Sequence, residues 1–220
     1  MTDPNAPVDT RERLIQAGID IFAEYGFSAT TTRMLADKAQ VNLSAIPYYF
    51  RSKEGLYNAT VGHIADVLAD HLTPFLDRLQ AEAAKGFAPE TARLLLQQGL
   101  STMVSVMCGD PGTMRFSQII LREQMAPTAA FDLIYPKVME RMLSAFSTLI
   151  ATITGETDPR QCSLQAILLI GQVMVFRAGR ATVVRRIGME GYTAGEIAEI
   201  QELVASRAMA ALDFMATRQA

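Results

Sequence analysis

Apolar residues recur at intervals of three and four along most of the chain, a pattern typical of helices with one buried face. The first such stretch begins after Asp9, a candidate N-cap with Glu12 three residues later, and ends at Gly26, a candidate C-cap. Its apolar positions are Leu14, Ala17, Gly18, Ile21, Phe22 and Tyr25. Residues 1–8 are polar, contain two prolines, and are predicted to form a loose arm.

Three more helices are predicted from capping residues followed by spaced apolar positions. Thr32 is the candidate cap of the second helix, Asn42 of the third and Ser52 of the fourth. A tight turn at Gln40-Val41 joins the second helix to the third, which predicts a helix-turn-helix. The buried positions of the three helices are Leu35, Ala36, Ala39, Ile46, Phe50, Leu56, Ile64, Leu68 and Leu72.

Proline and glycine divide the remainder into five longer helices. The predicted ranges are 89–107, 110–126, 127–154 with a kink at Pro136, 158–186 and 193–217. The last helix has an apolar stripe formed by Ile197, Ile200, Val204, Ala208, Leu212 and Met215. No segment alternates apolar and polar residues as a strand does, so the chain is predicted to be all-α with about nine helices.

The charge balance gives little indication of a nucleic-acid partner. The net charge is −3, and the first sixty residues carry seven acidic side chains against six basic ones. A broad basic surface is typical of nucleic-acid-binding domains and is missing here. Any DNA contact must therefore come from the local placement of a few cations and helix ends.

The sequence has no pattern typical of an enzyme. His63 and His71 are eight residues apart and do not share a metal-binding face as histidines four apart would. Cys108 and Cys162 lie in no nucleophile motif, and no glycine-rich phosphate loop follows a strand. With no secretory signal at the start, we expect a cytoplasmic protein with reduced thiols, no enzyme activity, no cofactor and no metal.

The third helix has unusual side chains at its exposed positions. Pro47, Tyr48 and Tyr49 follow one another, while only Ile46 and Phe50 are spaced for burial. The tyrosine hydroxyls could donate to phosphate oxygens and the rings could contact sugars or thymine methyl groups. The alternative is that both rings pack against the fourth helix.

The N-terminal motifs together resemble the DNA-binding domain of the TetR family over roughly residues 10–57. The matching segments are Gly26-Phe27, Thr31-Thr32-Arg33, Leu35-Ala36, Val41-Asn42, Tyr49-Phe50 and Ser52-Lys53-Glu54-Gly55-Leu56-Tyr57. The resemblance implies a DNA-binding domain at residues 1–57 and a ligand-binding and dimerisation domain at 58–220. It also implies DNA contacts by Thr32, Arg33, Asn42, Ser44, Ala45, Pro47, Tyr48, Tyr49 and Lys53.

Individual roles follow from the same resemblance. Thr32 and Lys53 would contact phosphates, and Arg33 would reach a base, where a guanidinium can bind O6 and N7 of guanine. Pro47 departs from the tyrosine usual in the family and lacks its hydroxyl, which puts a phosphate contact there in doubt.

The C-terminal region resembles a narrower branch, the CecR (YbiH-like) C-terminal domain. The matching motifs are Arg122-Glu123-Gln124, Pro127, Ala130, Leu169-Ile170-Gly171, Phe176-Arg177 and Gly179. Members of this branch are associated with drug sensitivity and efflux regulation, so the resemblance implies a small apolar or drug-like effector.

Residues 164–176 are apolar almost all the way round, which requires cover on several sides. The run is too short to cross a bilayer and includes Gln165 and Gln172. We expect it to form an intersubunit four-helix bundle with the last helix, the alternative being the central helix of a monomer. The predicted interface residues are Leu164, Ile167, Leu168, Gly171, Val175, Ile200, Val204, Ala208 and Leu212.

A group of methionine, aromatic and aliphatic residues on the middle helices suits an apolar cavity with few polar anchors. The predicted lining residues are Met103, Met107, Phe116, Ile120, Arg122, Met125, Phe131, Tyr135, Met139, Met142 and Arg177. The alternatives are ordinary core packing and an ion pair between Arg122 and Glu123. We therefore expect a homodimeric repressor that an effector releases from a palindromic operator. A constitutive DNA-binding dimer and an activator stay open.

Overall fold

The computed structural model describes residues 9–86, 88–109 and 111–217, without the side chains of residues 111 and 112. The described residues contain α-helices and two π-helical turns but no strand, which confirms the all-α prediction. The predicted arm at residues 1–8 and the predicted cap Asp110 lie outside the described residues. The chain divides into two compact units. Unit 1 comprises the residues up to Leu68 and Met114–Lys137, and unit 2 comprises Ala69–Thr113 and the residues from Val138 onward.

The N-terminal helices begin at caps close to those predicted. They are α1 (Thr10–Ala29), α2 (Thr32–Ala39), α3 (Ala45–Phe50) and α4 (Lys53–Ala83). Asp9 caps α1 through the amide of Arg11, and Ser52 accepts from the amide of Gly55 at the start of α4. Thr31, rather than Thr32, caps α2 by accepting from the amide of Met34.

Helix α1 is bent at the predicted C-cap. Gly26 has φ +75° and ψ 172°, a conformation that only glycine adopts without strain, and the helix resumes for one short turn beyond it. The apolar face of α1 packs on the other helices of unit 1. The largest fully buried side chains of this unit are Leu14, Phe22, Leu35, Ile46, Leu56, Ile64, Ile119 and Ile134. The bend leaves the last carbonyl groups before Gly26 open to partners outside the helix.

The remaining helices follow most of the predicted boundaries. They are α5 (Pro89–Val104), α6 (Pro111–Met125), α7 (Phe131–Ile134), α8 (Glu140–Thr154), α9 (Pro159–Ala178), α10 (Arg180–Ile187) and α11 (Ala194–Thr217), with π-helical turns at Ser105–Gly109 and Tyr135–Met139. The second π-helical turn includes Pro136, where a kink was expected, because proline cannot supply an amide hydrogen.

Two of these boundaries differ from the prediction. Helix α7 begins at Phe131 instead of residue 127, because the Glu123 carboxylate accepts from the amide of Thr128 and holds residues 126–130 in a turn. The predicted helix 158–186 is broken at Gly179, whose φ of −93° and ψ of 14° depart from helical values although its amide still donates to the carbonyl of Val175 at 2.8 Å. A Cβ atom at that position would lie 2.8 Å from the same oxygen, so the break requires a glycine.

The core of unit 2 is formed by α5, α8, α9 and α11 around the C-terminal part of α4. Phe75 and Phe146 meet edge to face, and a Cβ atom at Gly99 would come within 3.0 Å of both rings. Ile200, Val204, Ala208 and Leu212 are all buried in this core. The predicted stripe of α11 is therefore the face that the chain covers itself.

Candidate nucleic-acid interface

The turn between α2 and α3 is held from outside by α1. Gln40 ends α2 with φ 53°, in the left-handed region, and its amide donates to the carbonyls of Ala36 and Asp37. The Arg13 guanidinium of α1 donates to the carbonyls of Ala39 and Gln40, the latter at 2.8 Å. Arg13 thus satisfies carbonyl groups that the end of α2 leaves open and fixes the direction in which the chain enters α3.

The chain between α2 and α3 forms a turn that the Asn42 side chain supports. Asn42 Oδ1 accepts from the amide of Ser44 at 2.9 Å and from its hydroxyl at 2.8 Å. The N-cap of α3 is Ser44, which makes no side-chain capping bond, so the cap predicted at Asn42 was two residues too early. Pro47 is the third residue of α3, where a missing amide hydrogen breaks no intrahelical bond. Its ring is exposed, so the departure from the family pattern does not disturb the helix.

The two tyrosines of α3 face solvent rather than the core. The side chain of Tyr48 is 81% exposed and that of Tyr49 38%, and their rings meet edge to face at 4.8 Å. Only Ile46 and Phe50 of this helix are buried. The structure therefore contradicts packing of both rings against α4 and leaves them available to a partner.

The other predicted DNA-contacting residues lie at the starts of α2, α3 and α4. Thr32 and Arg33 are the first two residues of α2, with Arg33 exposed and Thr32 partly buried. Asn42 and Ser44 are exposed, while Ala45 is partly buried. Unit 1 therefore presents the predicted residues on consecutive elements, and their DNA contacts stay a prediction.

Lys53 has a second, internal role. Its ammonium donates to the carbonyl of Phe27 at 2.9 Å and to that of Thr30 at 2.8 Å, and it lies 4.4 Å from the centre of the Phe27 ring. Two of its three N–H groups thus hold the end of α1 against the start of α4. The third is left for the predicted phosphate contact.

A buried polar cluster in unit 1 was not predicted. Glu123, with 2% of its surface exposed, accepts from the hydroxyl of Tyr57 at 2.6 Å and from both the amide and the hydroxyl of Thr128. Burial, reinforced by the Glu123 carboxylate, raises the pKa of Tyr57, so the phenol stays protonated as a donor. A pairing across 66 residues has no local sequence signal.

Arg122 has a structural role that was not predicted. Its guanidinium donates to the carbonyls of Phe22, Ala23 and Glu24, the groups left open before the bend at Gly26. Arg122 and Glu123 therefore each bind a different N-terminal helix, α1 and α4. This is why residues 114–137 belong to unit 1 and why the compact units do not follow the predicted division at residue 57.

The predicted ligand residues are divided between the two units. Phe116, Ile120, Arg122, Met125, Phe131 and Tyr135 belong to unit 1, while Met103, Met107, Met139, Met142 and Arg177 belong to unit 2. Met125 is 86% exposed, which contradicts a role in lining a pocket. Met103 and Met142 are buried core residues, which agrees with the alternative of ordinary core packing.

A cleft of about 520 Å³ lies within unit 1 between α1, α2 and α6. Asp20 in its wall pairs with Lys38 at 3.0 Å and with Arg115. Of the predicted ligand residues only Arg122 lines it, so this charged cleft does not correspond to the apolar cavity expected.

The predicted dimer interface divides into two parts. Leu164, Ile167, Leu168, Gly171 and Val175 are exposed on one face of α9, as an interface requires. Ile200, Val204, Ala208 and Leu212 are between 0 and 6% exposed within the single chain, so their assignment to the interface was wrong. The exposed large apolar residues of α11 are instead Leu203 and Phe214.

Helix α9 as a whole is longer than its apolar run. Its 20 residues make it long and apolar enough to cross a membrane by length and composition, unlike the 164–176 segment considered alone. One such helix is weak support for a membrane span. Its exposed apolar face requires cover of some kind.

The three N-terminal helices, with an exposed aromatic recognition helix, define a helix-turn-helix DNA-binding protein with a helical C-terminal domain. Residues 14–60 match the family described as bacterial regulatory proteins, tetR family. Residues 92–215 match the C-terminal domain of the HTH-type transcriptional dual regulator CecR. The chain therefore belongs to the TetR family of bacterial transcription regulators, with a CecR-type C-terminal domain.

Individual relatives agree with this assignment. The CecR dual regulator of Shigella flexneri is 36% identical over 188 residues, which cover 83% of this chain and 82% of the relative. A TetR-family regulator structure from Mesorhizobium loti has a TM-score of 0.61 at 20% identity, covering 93% and 96% of the two chains. Bacillus subtilis FadR in complex with stearoyl-CoA has a TM-score of 0.55 at 17% identity, covering 89% and 97%. The relatives are regulators, and the chain is a regulator rather than an enzyme.

Proposed function

We propose that the protein is a cytoplasmic homodimer that binds a palindromic operator through α3 and is released by a small effector. The observation that carries the proposal is the exposure of Tyr48 and Tyr49 on a recognition helix that buries only Ile46 and Phe50. Exposed aromatic groups at such a position are suited to contacts with phosphates, sugars and thymine methyl groups.

A second copy of the chain is the proposed cover for α9. Its apolar stripe of Leu164, Leu168, Gly171 and Val175 is exposed, and α11 adds Leu203 and Phe214. Two helices from each copy would bury these residues as a four-helix bundle. A twofold dimer places two recognition helices for successive major grooves, about 34–36 Å apart, and therefore fits a palindrome.

The effector is proposed to act by shifting populations. A small apolar or drug-like molecule held in the C-terminal domain would favour one position of α4 and change the spacing of the paired recognition helices. Its effect on operator affinity cannot exceed its differential affinity for the two states. FadR, with a similar fold, is known with stearoyl-CoA bound, which supports a C-terminal domain able to hold an apolar ligand.

The direction of regulation has two candidates. Binding to an operator that overlaps a promoter gives repression, which the effector relieves by releasing the protein; this is the role proposed here. The relative CecR is named a dual regulator, which favours activation at some sites as a second candidate.

The test is selection of duplexes from a random pool by the purified full-length protein, followed by titration of the selected and a scrambled duplex. We expect a palindromic site bound by two subunits at least several hundredfold more tightly than the scrambled duplex. Arg33→Ala should weaken binding to the selected duplex more than to the scrambled one. Equal losses on both would refute base reading by Arg33, and failure to enrich any duplex would refute operator binding.

A further inference from the structure

The cations available to DNA in the N-terminal region are few. Residues 1–57 contain six basic side chains, Arg11, Arg13, Arg33, Lys38, Arg51 and Lys53. Affinity for duplex DNA comes largely from basic groups that neutralise phosphates and release counterions. The DNA backbone is therefore held where these basic side chains are free to bind phosphates.

Three of these cations are used inside unit 1. Arg13 donates to two carbonyls at the end of α2, and Lys53 donates to two carbonyls at the end of α1. Lys38 pairs with Asp20 at 3.0 Å. The remaining three, Arg11, Arg33 and Arg51, are exposed, and among the described residues none has an acidic side chain paired with its guanidinium.

Arg11 and Arg51 converge on one end of the recognition helix. The Arg11 guanidinium lies 5.5 Å from the centre of the Phe50 ring, and Phe50 is the last residue of α3. Arg51 follows it directly as the C-cap. Recognition helices read base edges with their N-terminal part, so cations at the C-terminal end are placed for the backbone rather than the bases.

Each arginine occupies a position with an identifiable cost to the fold. Arg11 is in the first turn of α1, where the helix dipole disfavours a positive charge. Arg51 has φ +67° and ψ −38°, a backbone conformation that favours glycine. Strained or electrostatically unfavourable positions concentrate at functional sites, because binding rather than stability accounts for them.

We propose that Arg11 and Arg51 form a phosphate clamp at the C-terminal end of α3 and carry the backbone contacts that Lys53 supplies only in part. The inference rests on the proposed operator binding. Arg33 reads a base in this scheme, while Arg11 and Arg51 bind any duplex regardless of sequence.

The experiment measures operator affinity of the full-length protein from about 50 to about 300 mM KCl by fluorescence anisotropy, on the duplex that wild type selects and on a scrambled one. The variants are Arg11→Ala and Arg51→Gly, with Arg186→Ala as the control. Arg186 is an exposed arginine of unit 2. The control therefore removes the same charge from the molecule but leaves both arginines at the C-terminal end of α3 in place. Thermal unfolding of each variant accompanies the titrations.

Each of the two variants should weaken binding to both duplexes by the same factor. Each should also reduce the slope of log K against log salt by about 0.9 per subunit bound, or about 2 for a dimer. Neither should lower the Tm, because alanine suits a helix and glycine suits φ +67°. The control should keep the wild-type slope.

A wild-type salt slope in either variant would overturn the clamp, as would a loss confined to the selected duplex. An equal loss in the Arg186→Ala control would also overturn it, because net charge would then explain the effect. If the wild-type protein selects no duplex at all, the operator proposal fails before the clamp is tested. The two failures are therefore distinguishable.

Discussion

The hydroxyl of Tyr57 donates a 2.6 Å hydrogen bond to Oε1 of Glu123, and both residues are buried. A hydrogen bond to a buried carboxylate is among the stronger contacts in a protein, since its loss leaves the charge with fewer donors. This bond attaches the end of α6 to α4, the helix that follows the recognition helix directly. Tyr57 and Glu123 are thus part of the frame on which the DNA-binding surface is built.

Replacing Tyr57 by phenylalanine should lower the free energy of unfolding by about 1.5–3 kcal/mol, because Glu123 would keep only its bonds from Thr128. Urea unfolding measures the change. Tyr135→Phe is the matched control, since Tyr135 is exposed, and its effect should stay within about 0.5 kcal/mol. Equal effects of the two substitutions would show that the bond between Tyr57 and Glu123 adds nothing to the free energy of unfolding.

Alkaline pH should destabilise the protein through the same residue. The pKa of Tyr57 is raised by burial and by the Glu123 carboxylate, so the unfolded chain loses this proton near pH 10 while the folded chain keeps it. Stability from this group is complete below about pH 10 and declines as the pH rises above it. Unfolding free energies between about pH 9 and pH 11 should converge for wild type and Tyr57→Phe, and parallel curves would contradict the assignment.

Gly26→Ala should destabilise unit 1 by about 1–3 kcal/mol, the cost of placing an alanine at φ +75° and ψ 172°, a region of backbone conformation essentially restricted to glycine. Space is not the cause, because the added Cβ would lie 3.6 Å from the Arg122 guanidinium carbon. Gly62→Ala is the control. Gly62 is inside α4, and a Cβ atom added there would meet nothing within 4 Å, so alanine should stabilise by about 0.5–1 kcal/mol. Thermal unfolding measures both effects. A Tm that shifts in the same direction in the two variants would contradict the argument.

Leu168→Lys should separate the proposed dimer into monomers and weaken operator binding. The side chain of Leu168 is 59% exposed on α9, so a lysine there costs the single chain little but places two charges in the intersubunit bundle. Leu94→Lys changes a residue of the same type, 60% exposed on α5, and should leave the dimer intact. Analytical ultracentrifugation distinguishes the two states. A monomeric wild type, or a dimeric Leu168→Lys variant, would remove α9 from the interface.

Helix starts were predictable where the signal is local. Asp9 and Ser52 each accept a backbone amide within three residues at the starts of α1 and α4, as their positions in the sequence predict. The cap predicted at Asn42 was wrong by two residues, because α3 begins after Ser44. The predicted cap of α2 was wrong by one residue, because Thr31 and Thr32 are chemically equivalent and only the backbone path selects between them. The predicted start of α7 at Pro127 was wrong. The amide of Thr128 donates to the Glu123 carboxylate, and this bond keeps the residues after Pro127 out of the helix.

The sequence predicted which residues form the candidate site better than it predicted which atoms those residues contact. Exposed recognition-helix residues follow from the motif, whereas the carbonyl partners of Lys53 and Arg122 depend on where α1 bends. The stripe of Ile200, Val204, Ala208 and Leu212 was predicted to be buried, and it is. Periodicity identifies a covered face but does not say whether the same chain or a second copy covers it, so the assignment to the dimer was wrong.

The discontinuity of unit 1 has a consequence for synthesis on the ribosome. The Tyr57 hydroxyl bonds to Glu123, and the α1 carbonyls bond to Arg122. These bonds can form only after the chain has been translated past residue 123, although α1 and the start of α4 are made much earlier. By the time these residues have left the exit tunnel, α5 has left it too, while its core partners α8, α9 and α11 are still to emerge. A nascent chain with only its first 110 or so residues outside the ribosome would thus expose two incomplete units at once and be a substrate for chaperones or proteases.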